Sequence, residues 1–300
     1  MKPRRGAQRL RDYARGDRGL RIGAVIVGAT LILALLGPVL APHDPEAATR
    51  DILAAPSASH WFGTTRSGVD VFSATLAAFR IDVFIALVAT LGSFVVGVTL
   101  GAIAGFRFSS RSAATSSWMV LRGADMVQAL PVFILALALV GVTGPSVRNV
   151  VIAVAFVNCP IFLRLTRASV LINQSLPYAD AARVMGYSER RVLTRHILPN
   201  SLDPVIANAS IAVGYAILLT AGLSFIGAGV PQPTPEWGSI IANGSSDLVT
   251  GQWWISILPG LVLGVVVFGF AMLGDGLRRY WSPEGRKTIA RLELEKAVPV

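Results

Sequence analysis

The chain is short of the residues that soluble chemistry relies on. It has one cysteine, three histidines and three lysines (Lys2, Lys287 and Lys296) in 300 residues, and 15% of its side chains are charged. The lone Cys159 excludes an intramolecular disulfide and, beside Pro160, reads as a small packing residue. No G-x-x-x-x-G-K-[ST] occurs, so no phosphate-cradling loop can be built and any ATP must be bound by another chain. No Ser/His/Asp or metal-ligand spacing appears either, so neither a catalytic residue nor a metal ligand is expected, and no hydrolytic or redox site.

What the sequence does have is apolar residues, 53% of the total, gathered in long blocks. From Ile22 to Ala41 no side chain is ionisable. At ~1.5 Å per residue such a run reaches about 30 Å, the thickness of a bilayer's hydrocarbon core. Similar uncharged runs cover Val83 to Phe106, Met126 to Val147, Asn149 to Leu163, Pro204 to Pro235 and Leu248 to Gly274. The expectation is an all-α polytopic membrane protein of about six transmembrane helices, at about 22–41, 83–106, 124–143, 148–166, 204–229 and 253–275, within a membrane domain of residues 22–275.

The fourth run is the shortest, and Arg148 and Arg164 would have to snorkel toward the headgroups. Charge placement supports it. With an inside N-terminus, the inner segments hold eight basic residues from Lys2 to Arg21, three at Arg107, Arg111 and Arg122, six from Arg164 to Arg195, and six from Arg278 to Lys296. Only Arg50, Arg66, Arg80 and Arg148 fall elsewhere. The net charge of +10 thus reads as topology and contact with anionic lipid, with cytoplasmic tails at 1–21 and 276–300. Nucleic-acid binding would need basic residues interleaved with stacking aromatics on one surface. The first run exceeds the usual core of a cleavable signal, and five more follow, so an uncleaved first helix is the better reading.

Residues 42–82 form the longest expected outer segment, and 107–120 a short inner loop. A second outer segment, Gly229 to Gln252, carries Pro231, Pro233 and Pro235, which argue against regular helix there. Gly97, Gly101 and Gly105 make a G-x-x-x-G-x-x-x-G ridge for close helix packing. Trp253 and Trp254 at one end of the last run, with Tyr280 and Trp281 at the other, fit aromatic belts. Asp82, Asp125 and Asp275 sit near span ends, where interfacial carboxylates are expected.

The expected inner loop at 167–203 is the most informative stretch, reading SLPYADAARVMGYSERRVLTRHILPN from Ser175 to Asn200. Pro177 suits a first helical turn, Ser175 can cap it, and Asp180 meets the positive end of the helix dipole. Tyr178, Ala181, Ala182 and Met185 fall at i, i+3, i+4 and i+7, one apolar stripe. Gly186 suits a left-handed stop, and Ser188 can cap a second helix running to Pro199. A helix, a sharp turn and a helix can dock another protein, or lie on the membrane or on their own bundle. The residue pattern leaves both open.

Asp180-Ala181-Ala182, then Gly186, then Leu198-Pro199 resemble the EAA loop of ABC importer permeases: Glu-Ala-Ala, three residues, Gly, nine residues, Ile, one residue, Leu-Pro. Asp180 stands for the glutamate and His196 for the isoleucine. The His196-to-Asn200 ending, the His60-Trp61-Phe62-Gly63-Thr64 and Gly68-Val69-Asp70 segments, Leu223 to Val230, Pro233 to Gly238, and Leu273 to Arg278 are similar to the family's peptide/nickel branch. Trp61, Thr65 and Val69 depart from that branch's pattern.

The resemblance implies a type I ABC importer permease-like bundle in a bacterial inner membrane, importing di- or oligopeptides, nickel chelates or another small solute. It implies a coupling loop made by Tyr178, Ala179, Asp180, Ala181, Ala182, Met185, Gly186, His196, Leu198 and Pro199. Expected partners are a second, related permease, two cytoplasmic ATPase subunits holding ATP and Mg, an exterior binding protein and membrane lipid. No cofactor is expected in this chain, and substrate-binding residues are unknown. The competing classes are an ion-coupled secondary transporter, which would show charges at the midplane, and a structural membrane subunit.

Overall fold

The computed structural model describes residues 13, 16–107, 111–282 and 285. Lys2, Lys287, Lys296 and most of both basic tails lie outside them. The described elements are helices: α1 (Arg18–Leu40), α2 (Val71–Gly105), α3 (Arg111–Ala129), α4 (Val132–Thr143), α5 (Val147–Asn173), α6 (Pro177–Val184), α7 (Glu189–Val192), a π turn (Leu193–Ile197), α8 (Leu198–Ser201), α9 (Asp203–Phe225), α10 (Trp237–Ser245) and α11 (Trp254–Trp281). Among the described residues, only the isolated bridges of Ala48 with Val69 and Thr64 with Asp70 add extended pairing.

Five of these helices, α1, α2, α5, α9 and α11, are long and apolar enough to cross a membrane. The expected span at 124–143 is instead two helices that meet at 93° around Leu130 and Pro131, and counts as a sixth only if the bent pair is one span. Pro131 explains the break: it has no N–H to donate, and its ring keeps the residue before it out of helical conformation. The short loop expected at 107–120 is mostly α3, which starts at Arg111.

The second span also begins earlier than its uncharged run. Asp70 accepts the Ser73 N–H at 2.8 Å and starts α2 twelve residues before Val83, so residues 71–82 are helix and not outer loop. The run-based boundary failed because Arg80 and Asp82 interrupt it while remaining inside the helix.

The glycine ridge explains the closest packing. Gly97 lies against the Cys159 carbonyl, where an added Cβ would stand 2.8 Å from the oxygen. Gly101 faces the Leu163 carbonyl and Gly105 that of Arg167, at 2.9 Å. Positions 97, 101 and 105 thus meet 159, 163 and 167 in order, so α2 and α5 run parallel with backbones nearly touching. α11 packs on α1 and α9, with Gly276 against Leu20 and Gly274 against Ile211. The outer faces of α1 and α2 carry exposed Val25, Leu35 and Leu91, as expected where the solvent is lipid.

Two further expectations change. The prolines end at Pro235, and Glu236 then caps α10 with both carboxylate oxygens, accepting the Gly238 N–H at 3.0 Å and the Ser239 N–H at 2.9 Å. Residues 237–245 are therefore helical despite the prolines before them. Asp82 is not interfacial: it is fully buried and its Oδ2 accepts the Trp237 N–H at 3.1 Å. Trp237 is buried with it, donating from Nε1 to the Thr75 carbonyl and meeting Phe79 edge-on. Asp125 and Asp275 are both about half exposed.

Burial holds the Glu236 carboxyl above its ordinary pKa, opposed first by the contact with Asp82 and then by the two N–H bonds. Glu236→Ala should lower stability by about 1–2 kcal/mol through loss of the cap, and Glu236→Gln by less, because one acceptor remains. Thermal denaturation in detergent checks the order wild type, Gln, Ala.

The segment from 41 to 70 is ordered by its own hydrogen bonds, including Thr49 N–H to Gly68 O and Val71 N–H to Gly63 O. His60 is buried within it, 2.8 Å from Asp70 and 3.3 Å from Asp51. The Asp70 contact raises its pKa above the ordinary imidazole value, against burial. An open cleft of about 640 Å³ separates this segment from α10, bridged by an Arg66–Asp247 ion pair.

Candidate functional site

α6 and its companion sit at the end of the bundle where α2 and α5 finish. The joint is a side chain. Gln174 donates from Nε2 to the Gly105 carbonyl and accepts the Arg107 N–H at Oε1, both at 3.0 Å, tying the last turn of α5 to that of α2. Nothing in the spacing of the sequence singles this glutamine out. Its role depends on two helices reaching the same level.

Pro177 opens α6 as its first residue, but the cap position is Leu176, which makes no side-chain bond. Ser175 instead donates to the Ile172 carbonyl and closes α5, a correction to its expected capping role. Asp180 stands in the first turn, exposed, paired to Arg183 at 2.7 Å. Arg183 also lies over the Phe106 ring and reaches Glu189 at 3.6 Å, linking α6 to α2 and α7.

The expected stripe divides. Ala179 and Ala182 are buried against Ala102, Phe106, Val170, Val192, Leu193 and Ile197. Ala182 belongs to this inner side because its small side chain lets α6 approach the ends of α2 and α5. Tyr178, Ala181 and Met185 face outward, and they are joined by Val184, 88% exposed, which the stripe omitted although it follows Ala181 by three residues. Tyr178 is held by its hydroxyl, which donates to the Asn173 side chain at 2.9 Å.

Gly186 has φ +81°, with its N–H on the Arg183 carbonyl and the Tyr187 N–H on that of Ala182. These bonds close α6 in the way the left-handed stop requires. Ser188 precedes α7 without a capping bond, so the expected capping is by position only. From Glu189 to Ser201 the chain is one helical rod, widened at Leu193–Ile197, where Leu198 N–H returns to the Leu193 carbonyl. Pro199 accounts for the widening: it cannot bond the carbonyl four residues back, and its ring would strike it. His196 stacks on Tyr187 at 5.4 Å, and Arg191 covers the same ring, bracing the turn. Leu198 is half-buried at the rod's packed side and Pro199 is exposed.

The ten residues singled out in the sequence therefore lie in one two-helix element. It offers a rigid shape with an apolar outward face and an acidic first turn. Residues 97–286, which contain the whole element, match the family described as binding-protein-dependent transport system inner membrane component.

The chain belongs to this family.

The permease is 37% identical over 262 residues to the probable D,D-dipeptide transport system permease protein DdpC of Escherichia coli (strain K12), covering 87% of this chain and 86% of that one. It is 36% identical to the dipeptide transport system permease protein DppC of Alkalihalophilus pseudofirmus, over 88% and 85% of the two chains. The glutathione transport system permease protein GsiD of Pectobacterium atrosepticum is 36% identical over 76% of this chain and 74% of its own. Among solved structures, the inward-facing MetNI methionine ABC transporter aligns with a TM-score of 0.57 at 17% identity, covering 70% of this chain and 96% of that one. That likeness concerns the fold. The permease is a multi-pass inner-membrane transport component of an ABC importer.

Proposed function

We propose that this permease carries di- or oligopeptides across the membrane through a path shared with a second permease, driven by two ATPase subunits that hold ATP and Mg. An exterior binding protein delivers the cargo, and α6 faces the cytoplasm. The observation that carries the reading is the α6 element itself: an outward face of Tyr178, Ala181, Val184 and Met185 on a helix whose inner side is packed against α2 and α5. A motor gripping that face would pull on two spanning helices at once, because Gln174 ties their ends. A flexible loop would absorb the same motion. Peptide cargo is supported by relatives named for dipeptides, and the GsiD relative favours a second cargo, glutathione-like tripeptides.

The test is uptake by proteoliposomes holding this permease with its co-purified partners. Labelled dipeptide should enter only with ATP and the binding protein present. Asp180→Lys, which sets two cations three residues apart beside the positive helix end, should cut uptake by roughly tenfold, equivalent to about 1.4 kcal/mol of lost docking. Proton-driven uptake by this chain alone, or full uptake by Asp180→Lys, would refute the reading.

A further inference from the structure

The segment between α1 and α2 brings two of the chain's three histidines onto one carboxylate. His43 lies three residues beyond α1, His60 in the middle of the segment and Asp70 at the cap of α2. Spacings of seventeen and ten residues match no metal-ligand pattern, so the residues alone point to no metal ligand here. The fold closes the gap: the ligand atoms of these three side chains lie within 4.8 Å of one another, and the imidazole rings are 4.8 Å apart.

The hydrogen bonding around the trio leaves one atom unexplained. His60 has a carboxylate at each ring nitrogen, Asp70 at Nδ1 and Asp51 at Nε2. Asp70 Oδ2 accepts the Ser73 N–H and hydroxyl at 2.8 and 2.7 Å, which fixes its orientation. His43 is positioned by its own N–H, which donates to Ser73 Oγ at 3.1 Å. Yet His43 Nδ1 is buried without a hydrogen-bond partner, and the nearest Asp70 oxygen is 3.8 Å away, beyond hydrogen-bond reach.

We propose that His43 Nδ1, His60 Nδ1 and Asp70 hold a divalent transition-metal ion of the zinc class, which staples the 41–70 segment to the head of α2. Two imidazoles and one carboxylate form a borderline donor set suited to Zn²⁺, with a fourth position open to water. Bonds of about 2.0–2.1 Å put tetrahedral ligands about 3.3 Å apart. The 2.8 Å and 3.8 Å separations to Asp70 straddle that value, and side-chain shifts on the order of 1 Å complete the site. With Nδ1 on the metal, the His60 Nε2–H donates to Asp51, the outer carboxylate that metal-bound histidines commonly use. His43 is about one-third exposed, so the site has a path for the ion to enter.

The experiment uses the full chain purified with a histidine-free affinity tag, stripped with chelator, and titrated with Zn²⁺ by calorimetry and with Co²⁺ by visible absorbance. One ion should bind per chain, and Co²⁺ should show the intense d–d absorption of a low-coordinate nitrogen-containing site. His43→Ala should weaken binding by about 100-fold or more, and Asp51→Asn by about tenfold. His196→Ala, which removes the third histidine, should leave it unchanged. Melting curves without metal establish that each variant folds. Should His43→Ala not fold, the wild-type Co²⁺ spectrum and Asp51→Asn decide. No saturable binding, an aqua-like Co²⁺ spectrum, wild-type affinity in a folded His43→Ala, or loss of binding in His196→Ala would each overturn the proposal.

Discussion

Gly186→Val should abolish most ATP-driven uptake while leaving the permease inserted in the membrane and its partners able to hydrolyse ATP. The reason is local. At φ +81° a side chain is disfavoured by its own backbone, by roughly 1–2 kcal/mol for an L residue and more when it branches at Cβ. No atom lies within 4 Å of where the Cβ would go, so the penalty is conformational and not a clash with the bundle. The turn can relieve it by swinging α6 away from α7, which unstacks Tyr187 from His196 and moves the Tyr178–Met185 face. A penalty of that size corresponds to a five- to thirtyfold smaller population of the docking geometry, about the fall expected in uptake. Gly186→Asn, which tolerates this conformation, should retain most of it. Uptake, ATP hydrolysis and membrane-extracted protein measured together separate uncoupling from misfolding. Wild-type uptake by Gly186→Val would count heavily against the docking role.

Gly101→Leu should have the larger effect on folding itself. Its Cβ would collide with the Leu163 carbonyl and stand 2.8 Å from the Thr166 Cβ. The obstacle is main chain and cannot rotate aside, so α2 and α5 must separate over the whole contact. Overpacking of this kind costs about 3 kcal/mol or more, a fall of about 6–12 °C in melting temperature for a chain of this size. Gly92→Ala is the control, since its only near neighbour would be the Ala155 Cβ at an ordinary 3.7 Å. Equal melting temperatures for the two variants would show that the helices do not meet as described.

What could be read from residues alone follows from how local each signal is. The uncharged runs, the glycine ridge and the left-handed Gly186 depend on neighbours a few positions away. The start of α2 is set by the Asp70 cap and not by where the uncharged run begins, so charge alone places it too late. The bend at Pro131 is legible only as a lone proline inside an apolar run, which hydropathy alone reads as one continuous span. Asp82 could not be placed, since its burial depends on Trp237 arriving from 155 residues away. The same holds for Gln174, for the inward turn of Ala182, and for the histidines that meet over Asp70.

The spacing of the α2–α5 contact has a mechanical corollary. Three shallow notches on one helix, four residues apart, receive three backbone ridges of the same pitch on the other. Sliding by less than that interval, ~6 Å along the axis, drives carbonyls into Cα atoms at all three points together. Small axial slippage is therefore blocked. Any thrust delivered at one end is carried by the α2–α5 pair as a single strut, in contrast to the junction at Pro131, where α3 and α4 meet at 93° without such interlocking along their lengths.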